Sequence, residues 1–334
     1  MRRIAVSLVT RWVIAIALAL AAAPLLTGCA SRGRATAPKP ARPEQQVVQA
    51  DELLRQGRDE EALALLTRAI ERNPTLTIAH LKMADIFEGR GDYAAAERSF
   101  ATAAEQEPAN FDAQYGHGRM LQLLQRLAEA VRAYLRALAI RPTDFGANLN
   151  LATTYLQLDG PQQALPYAQQ AVRIDPASGA ARANLGAVYS ALGMHREAVS
   201  EYESAAELME LTPPLLLNLA ESQGKIERYQ EMLNTLTLAM RLQPTAVASE
   251  RMGYALFKLR RYDESHQAFE RSLSLDENHY PAMNGLGVLL LNQYILSDRK
   301  DVEARDQAIA YLRRSLRINE RQTRIVDLIS TYGR

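Results

Sequence analysis

Ala183-Asn184-Leu185-Gly186-Ala187-Val188-Tyr189, followed by Gly193 and Ala198, is the stretch that decides how the chain is read. Steps of 34 residues from Gly186 land on small residues: Ala50, Ala84, Gly118, Ala152 and Ala220. Gly253 and Gly287 keep the step after a one-residue slip. Ala198 belongs to a second ladder with Ala62, Ala96, Ala130 and Ala164. A third runs through Ala69, Ala103, Ala137, Ala171, Ala205 and Ala239, and a fourth through Pro74, Pro108, Pro142, Pro176 and Pro244. Between the alanines a bulky residue recurs: Leu66, Phe100, Tyr134, Tyr202, Leu236 and Phe269. Several coincident ladders at one period mark a repeat architecture.

Each rung has a physical reason. Small residues let two helices approach, and a large one fills the space beside them, because packed interiors leave neither voids nor surplus volume. Proline cannot continue a helix and restricts the residue before it. Gly57, Gly91 and Gly193 fall between the two helices of a unit, where a left-handed residue is least costly as glycine. Each unit therefore reads as helix, turn, helix, break, and the chain as all-α. The units are placed at 43–76, 77–110, 111–144, 145–178, 179–212, 213–245, 246–279 and 280–322. Three depart from the pattern. Unit six has Met232 in place of the first alanine, unit seven has Ser265 and Ser272 and loses its proline to Glu277, and unit eight carries about nine surplus residues around Asn292 to Arg305. Beyond them, Ile325, Leu328, Ile329 and Tyr332 share one face of a segment whose other face holds Arg324, Asp327 and Thr331. That is an amphipathic helix suited to cap an array that needs a polar outer end.

The spacing of small, aromatic, alanine and proline positions resembles the tetratricopeptide repeat (TPR) across residues 43 to 322. The resemblance implies a right-handed α-solenoid of about eight helix-turn-helix units, residues 44–322, with a capping helix at 323–334. It also implies that the first helix of each unit lines an inner groove able to take an extended segment or a helix of another protein. The groove positions of such a fold hold Asp51, Asp85, Tyr115, Arg119, Asn150, Thr153, Asn184, Asn218, Glu221, Glu250, Tyr254 and Lys258. Asn150, Asn184 and Asn218 stand 34 apart. A carboxamide carries donors and an acceptor, so a row of them could hold a peptide backbone. It is similar to the asparagine ladder in the TPR domain of O-linked N-acetylglucosamine transferase. The competing reading is that these amides bond water or a neighbouring turn. The carboxylate clamp of Hsp90-binding TPR domains is not matched, since Asp51 and Asp85 stand where asparagine would be needed. Tyr115 and Tyr254 are expected in the groove, as rigid amphipathic anchors. Tyr134, Tyr155, Tyr189 and Tyr202 are expected in the core.

The N-terminus has a separate logic. Arg2 and Arg3 open it, Trp12 to Leu26 is free of charge, and Leu26-Thr27-Gly28-Cys29 follows. That is the layout of a secretory signal over residues 1–28. The 15-residue apolar run is short of the ~20 residues of a membrane span. Leu-Thr-Gly-Cys resembles the lipobox of bacterial lipoproteins, which implies cleavage before Cys29 and acylation of its sulfur. Ala30 and Ser31, with no aspartate, imply the outer membrane. Residues 29–43 form a tether with Pro38, Pro40 and Pro43, a semi-rigid spacer.

Composition closes other routes. Lys+Arg is 39 and Asp+Glu 38 over 334 residues, and the portion from Cys29 onward carries 36 basic against 38 acidic residues. Such balance gives no general case for nucleic-acid binding. One cysteine excludes a disulfide scaffold. No two of His80, His117, His195, His266 and His279 stand four apart, so no zinc motif is present. Gly116-His117-Gly118 and Gly285-Leu286-Gly287 lack the third glycine and the preceding strand of a dinucleotide fingerprint. Gly224-Lys225 has neither the earlier glycine nor the following hydroxyl of a phosphate loop. No catalytic, metal or cofactor residues are expected. The expectation is a non-enzymatic, lipid-anchored protein-binding scaffold on the periplasmic face of the outer membrane. Its partners would be envelope proteins or peptide tails. Lipobox plus TPR is shared by type IV pilotins, tight-adherence pilus assembly lipoproteins and recruiters of peptidoglycan hydrolases. A TPR accessory subunit of exopolysaccharide export is the alternative.

Overall fold

The computed structural model describes residues 41–333, and the expected signal, Cys29 and most of the expected tether lie outside them. The unit from Arg42 onward is built of helices, with no strand among the described residues. Six pairs come first: α1 (Pro43–Arg55) with α2 (Asp59–Arg72), α3 (Thr77–Gly89) with α4 (Tyr93–Gln106), α5 (Phe111–Leu123) with α6 (Leu127–Ile140), α7 (Phe145–Gln157) with α8 (Pro161–Ile174), α9 (Gly179–Ala191) with α10 (His195–Leu208), and α11 (Pro213–Lys225) with α12 (Tyr229–Leu242). Two more pairs follow, α13 (Ala246–Lys258) with α14 (Tyr262–Leu275) and α15 (Tyr280–Leu296) with α16 (Val302–Ile318), and α17 (Thr323–Tyr332) ends the array. None of these helices is long and apolar enough to cross a membrane.

Local chemistry sets the boundaries. The first helix of five units is capped by a side chain on its third amide: Asn110, Asp144, Ser178, Thr212 and Thr245. Such caps are worth about 1 kcal/mol each. The turn inside each of the first seven units uses one left-handed residue at the same place. It is glycine at 57, 91 and 193, but Gln125, Asp159, Glu227 and Arg260 elsewhere. Arg58, Arg126, Arg228 and Arg261 then start the second helix, each paired with a glutamate three residues on. These pairs are exposed and contribute little.

Packing follows the ladders. Ala62, Ala96, Ala130, Ala164 and Ala198 are wholly buried, and so are Tyr134 and Leu66. Tyr134 lies against Gly118, Tyr202 against Gly186 and Phe269 against Gly253, so close that a Cβ at those glycines would come within 2.7–2.8 Å of the ring. The two Gly-X-Gly fragments have the same cause. Gly116 admits the Phe100 ring of the preceding unit and Gly118 the Tyr134 ring, while Gly285 admits Phe269 and Gly287 admits Leu312. Tyr202 is buried as expected, whereas Tyr155 and Tyr189 are only half-buried at the core's edge.

The departures have compensations. Met232 fits because Gly224 faces its sulfur. Ser265 and Ser272 are wholly buried, and each hydroxyl donates to a carbonyl of α13, Gly253 at 2.7 Å and Ala246 at 2.8 Å. Unit four has Ala168 where a ring recurs, and Tyr167 beside it stacks on Tyr155 with centroids 5.9 Å apart. Unit eight spends its surplus as four residues in α15, three in α16 and two in the turn. α17 buries Ile325 and packs Leu328, Ile329 and Tyr332 on α15 and α16, capping the last apolar cluster.

Each helix packs chiefly on its neighbours in sequence. The first helices of successive units also touch one another, α5 on α7, α7 on α9, α9 on α11, α11 on α13 and α13 on α15. Among the described residues, successive second helices do not approach one another to the same extent. The stack is therefore a curved solenoid with the first helices on its inner side.

Candidate functional site

The inner face is built from the fifth, sixth and ninth residues of each first helix, which recur on one side of a 3.6-residue turn. In several units the sixth residue reaches back to the preceding unit. Lys82 Nζ lies 2.5 Å from Asp51, and Arg251 bonds both Glu221 at 2.9 Å and the Leu217 carbonyl at 2.9 Å. The Asn184 amide donates to the Thr153 hydroxyl at 2.9 Å, and that hydroxyl donates to the Leu149 carbonyl at 2.9 Å. The Asn150 amide donates to the Tyr115 hydroxyl at 3.1 Å. Two of the three ladder asparagines thus direct donors to a neighbouring repeat. Asn184 Oδ1 is buried with no hydrogen-bond partner. Asn218 is exposed, and the residue at the place of Thr153 in its preceding unit is Ala187, which offers no polar side-chain atom.

The other groove residues form two groups. Tyr115 is half-buried, stacked on Phe111 with centroids 5.5 Å apart, and lies beside Arg119, which pairs with Glu88. Burial pushes the Tyr115 hydroxyl above its usual range. Tyr254 is 40% exposed, packs edge-on to Tyr229, and carries Lys258 Nζ at 5.7 Å from its centroid. The first group is tied into the core, and the second stands open.

Beside Tyr254 lies a cavity of about 360 Å³ between α13 and α15, walled by Phe257, Phe269, Val288, Asn284 and Gly285, with Glu250 among its lining. It sits beside Gly285, which stands at the sixth position of its helix, where units four to seven carry Asn150, Asn184, Asn218 and Arg251 and unit three carries Gly116. A second cavity of about 240 Å³ shares Glu250 and Tyr254 and is otherwise lined by Glu221, Lys225, Arg251 and Met232. Burial raises the Glu250 carboxyl to about 7, against a smaller opposing effect of Arg251. The Asp85 carboxyl in unit two is also raised, chiefly by desolvation. The sequence placed Glu250 on the groove but gave no sign of this cavity. The signal was the column itself, where Gly285 stands at the place of Asn150, Asn184 and Asn218. Among the described residues no group of three His, Cys, Asp or Glu is arranged to hold a metal ion. Cys29, the expected lipidation site, lies outside the described residues.

Family and structure comparisons agree with this geometry. Models of the tetratricopeptide repeat match residues 81–145 and 149–214, and another matches 246–279. No curated protein matches the sequence. The fold is similar to that of the APC/C hetero-tetramer Cut9–Hcn1, with a TM-score of 0.55 at 20% identity, over 86% of this chain and 55% of that one. A tetratricopeptide repeat protein from Parabacteroides merdae aligns with a TM-score of 0.55 at 18% identity, over 77% of this chain and 99% of that one. PilF of Pseudomonas aeruginosa aligns with a TM-score of 0.50 at 20% identity, over 60% of this chain and 92% of that one. The helical pairs within residues 81–145, 149–214 and 246–279 match tetratricopeptide repeats, and the remaining pairs share their plan.

Proposed function

We propose that this protein is a lipid-anchored, non-enzymatic scaffold of the bacterial outer membrane that captures a segment or subunit of an envelope protein on the inner face of its repeats, in pilus or secretion assembly. One observation carries the capture. On the inner face Asn218, Tyr254 and Lys258 are exposed and lie outside the buried core, with Tyr254 lining an apolar cavity. Exposed aromatic anchors next to pockets are where binding energy concentrates. The same fold in Cut9 is found in a hetero-tetramer with Hcn1, which supports a partner-holding role. The anchor rests on Leu26-Thr27-Gly28-Cys29 and on the uncharged run before it. Acyl chains contribute about 0.8 kcal/mol per buried CH₂, so more than one chain holds a protein firmly at a membrane. Confinement there would raise the effective concentration of groove and client without chemistry.

Affinity purification of the acylated protein tests both halves. Cys29→Ser should take up no labelled palmitate and should leave the membrane fraction; a variant that stays there would end the anchor. The combined Asn218→Ala, Tyr254→Ala and Lys258→Ala protein should lose the partner identified by mass spectrometry while keeping its helicity. Full retention of that partner would move the binding surface off the inner face.

A further inference from the structure

We propose that the cavity between α13 and α15 is a subsite for one arginine side chain of the captured segment, its guanidinium on the Glu250 carboxylate and its stem along Phe257, Phe269 and Val288. The inference rests on the groove reading above and names what one part of the groove recognises.

The first argument is a missing counter-charge. Glu250 lines both cavities yet has no ion-pair or hydrogen-bond partner among the described residues. Its neighbour Arg251 is turned to Glu221 and the Leu217 carbonyl. Burial without a partner is what raises this carboxyl to about 7. Such a group is stabilised by a cation that brings its own donors. The second argument is the wall. Phe257, Phe269 and Tyr254 present rings, and the Asn284 Oδ1 beside them is buried without a donor. A guanidinium is planar, weakly hydrated, stacks on aromatic faces and carries five donors, whereas an ammonium is compact and strongly hydrated. The third is size. About 360 Å³ is near the lower end of ligand cavities, roughly 300–1,000 Å³, and suits one long side chain.

The charges around Glu250 are few. From α11 come Glu221 and Lys225, on the neighbouring cavity; from α13 come Arg251 and Tyr254, with Lys258 over the Tyr254 ring. The cavity residues contributed by α14 and α15 carry no charge. Binding a cation requires the carboxylate form, so the site should release a proton on binding near neutral pH and weaken as pH falls through 7.

The test is calorimetric titration of the full-length protein with three N-acetylated, C-amidated nonapeptides that differ only in a central Arg, Lys or Met. At pH 8 the Arg peptide should bind about tenfold more tightly than the Met peptide and severalfold more tightly than the Lys peptide, as expected for a hydrogen-bonded charge in a part-buried site. Glu250→Gln should reduce the Arg peptide to the level of the Met peptide. In the unmutated protein, moving from pH 8 to pH 6 should weaken the Arg peptide about tenfold and the Met peptide hardly at all. That arm needs no variant to fold. Equal binding of the Arg and Met peptides, an Arg preference untouched by Glu250→Gln, or no binding of any of the three would overturn the subsite. A protein that ignores all three peptides but still retains its cellular partner loses this subsite and keeps the groove. One that fails both experiments loses both.

Discussion

Units three to five and units seven to eight share one backbone plan and use their inner faces in opposite ways. In the middle of the array, the buried ring is Tyr134 or Tyr202, and the sixth residue of the next unit is Asn150 or Asn218. The Tyr134 hydroxyl donates to Gln122 within its own unit at 2.7 Å, while Asn150 bonds Tyr115 and Asn184 bonds Thr153, so asparagine side chains stitch repeat to repeat. Toward the C-terminus, the ring is Phe269 and the next sixth residue is Gly285, with a Cβ there only 2.3 Å from the ring. The stitch is gone, and a cavity with an unpaired carboxylate stands in its place. A repeat array can thus combine structural and receptive stretches on one set of helices, and Gly285 does this together with its unpaired neighbour Glu250, since Gly116 holds the same column in unit three.

The largest expected effect tests the shared plan. Tyr134→Ala and Phe269→Ala should each cost about 3–5 kcal/mol, measured by denaturant unfolding with far-UV dichroism, since both rings are buried against glycine. Nearest-neighbour coupling confines each loss to its part of a solenoid, so separate transitions are an acceptable form of this result. A large loss at only one of the two rings would break the premise that they do the same work.

Next in size is a pH effect confined to the open region. The folded-state value of Glu250, about 7, is above the ordinary 4.5. Below 4.5 the group is protonated in both states and costs nothing. As pH rises from 4.5 to 7 the unfolded chain loses its proton first, so stability falls, and above 7 the penalty is constant at about 3 kcal/mol. Glu250→Gln should abolish most of the difference in unfolding free energy between pH 4.5 and pH 8. An unchanged pH profile would show that water reaches the carboxylate freely.

How far the sequence carried this reading follows from the same contrast. Helix starts, turns and the buried alanines were legible because each depends on residues within one unit, repeated at a constant step. Ala130 and Tyr134 declare themselves by size alone. The groove was legible only as a face. Whether an amide there bonds a ligand or a neighbour depends on what stands one unit away, as Thr153 does for Asn184 and Ala187 fails to do for Asn218. Met232 looked like a fault until Gly224 was seen beside its sulfur, and Ser265 until its hydroxyl was seen on the Gly253 carbonyl. The cavity was least legible, since it depends on what Gly285 lacks.

A smaller effect sharpens the stitched side. Thr153→Ala and Asn184→Ala should each destabilise by about 1 kcal/mol, and the double variant by less than their sum, with a coupling of about 0.5–1.5 kcal/mol. Pairing Thr153→Ala with Asn218→Ala should give no coupling, because Asn218 is exposed and bonds neither residue. Additive behaviour in the first pair would mean that the bond across the repeats does not form in solution.

The smallest effect asks whether the two regions share a backbone at all. Gln125 in unit three and Arg260 in unit seven hold the same turn position, with φ of 59° and 61°. A side chain in that left-handed region costs roughly 1–2 kcal/mol, while glycine gives back part of that through the greater freedom of the unfolded chain. Gln125→Gly and Arg260→Gly should therefore each stabilise by about 0.5 kcal/mol, and by equal amounts. Equal gains would leave side chains as the sole source of the difference between the stitched and the open repeats. A gain at Gln125 with a loss at Arg260 would mean that the open region departs from the repeat geometry in its backbone, and the cavity beside Gly285 would then owe its existence to that distortion rather than to one absent side chain.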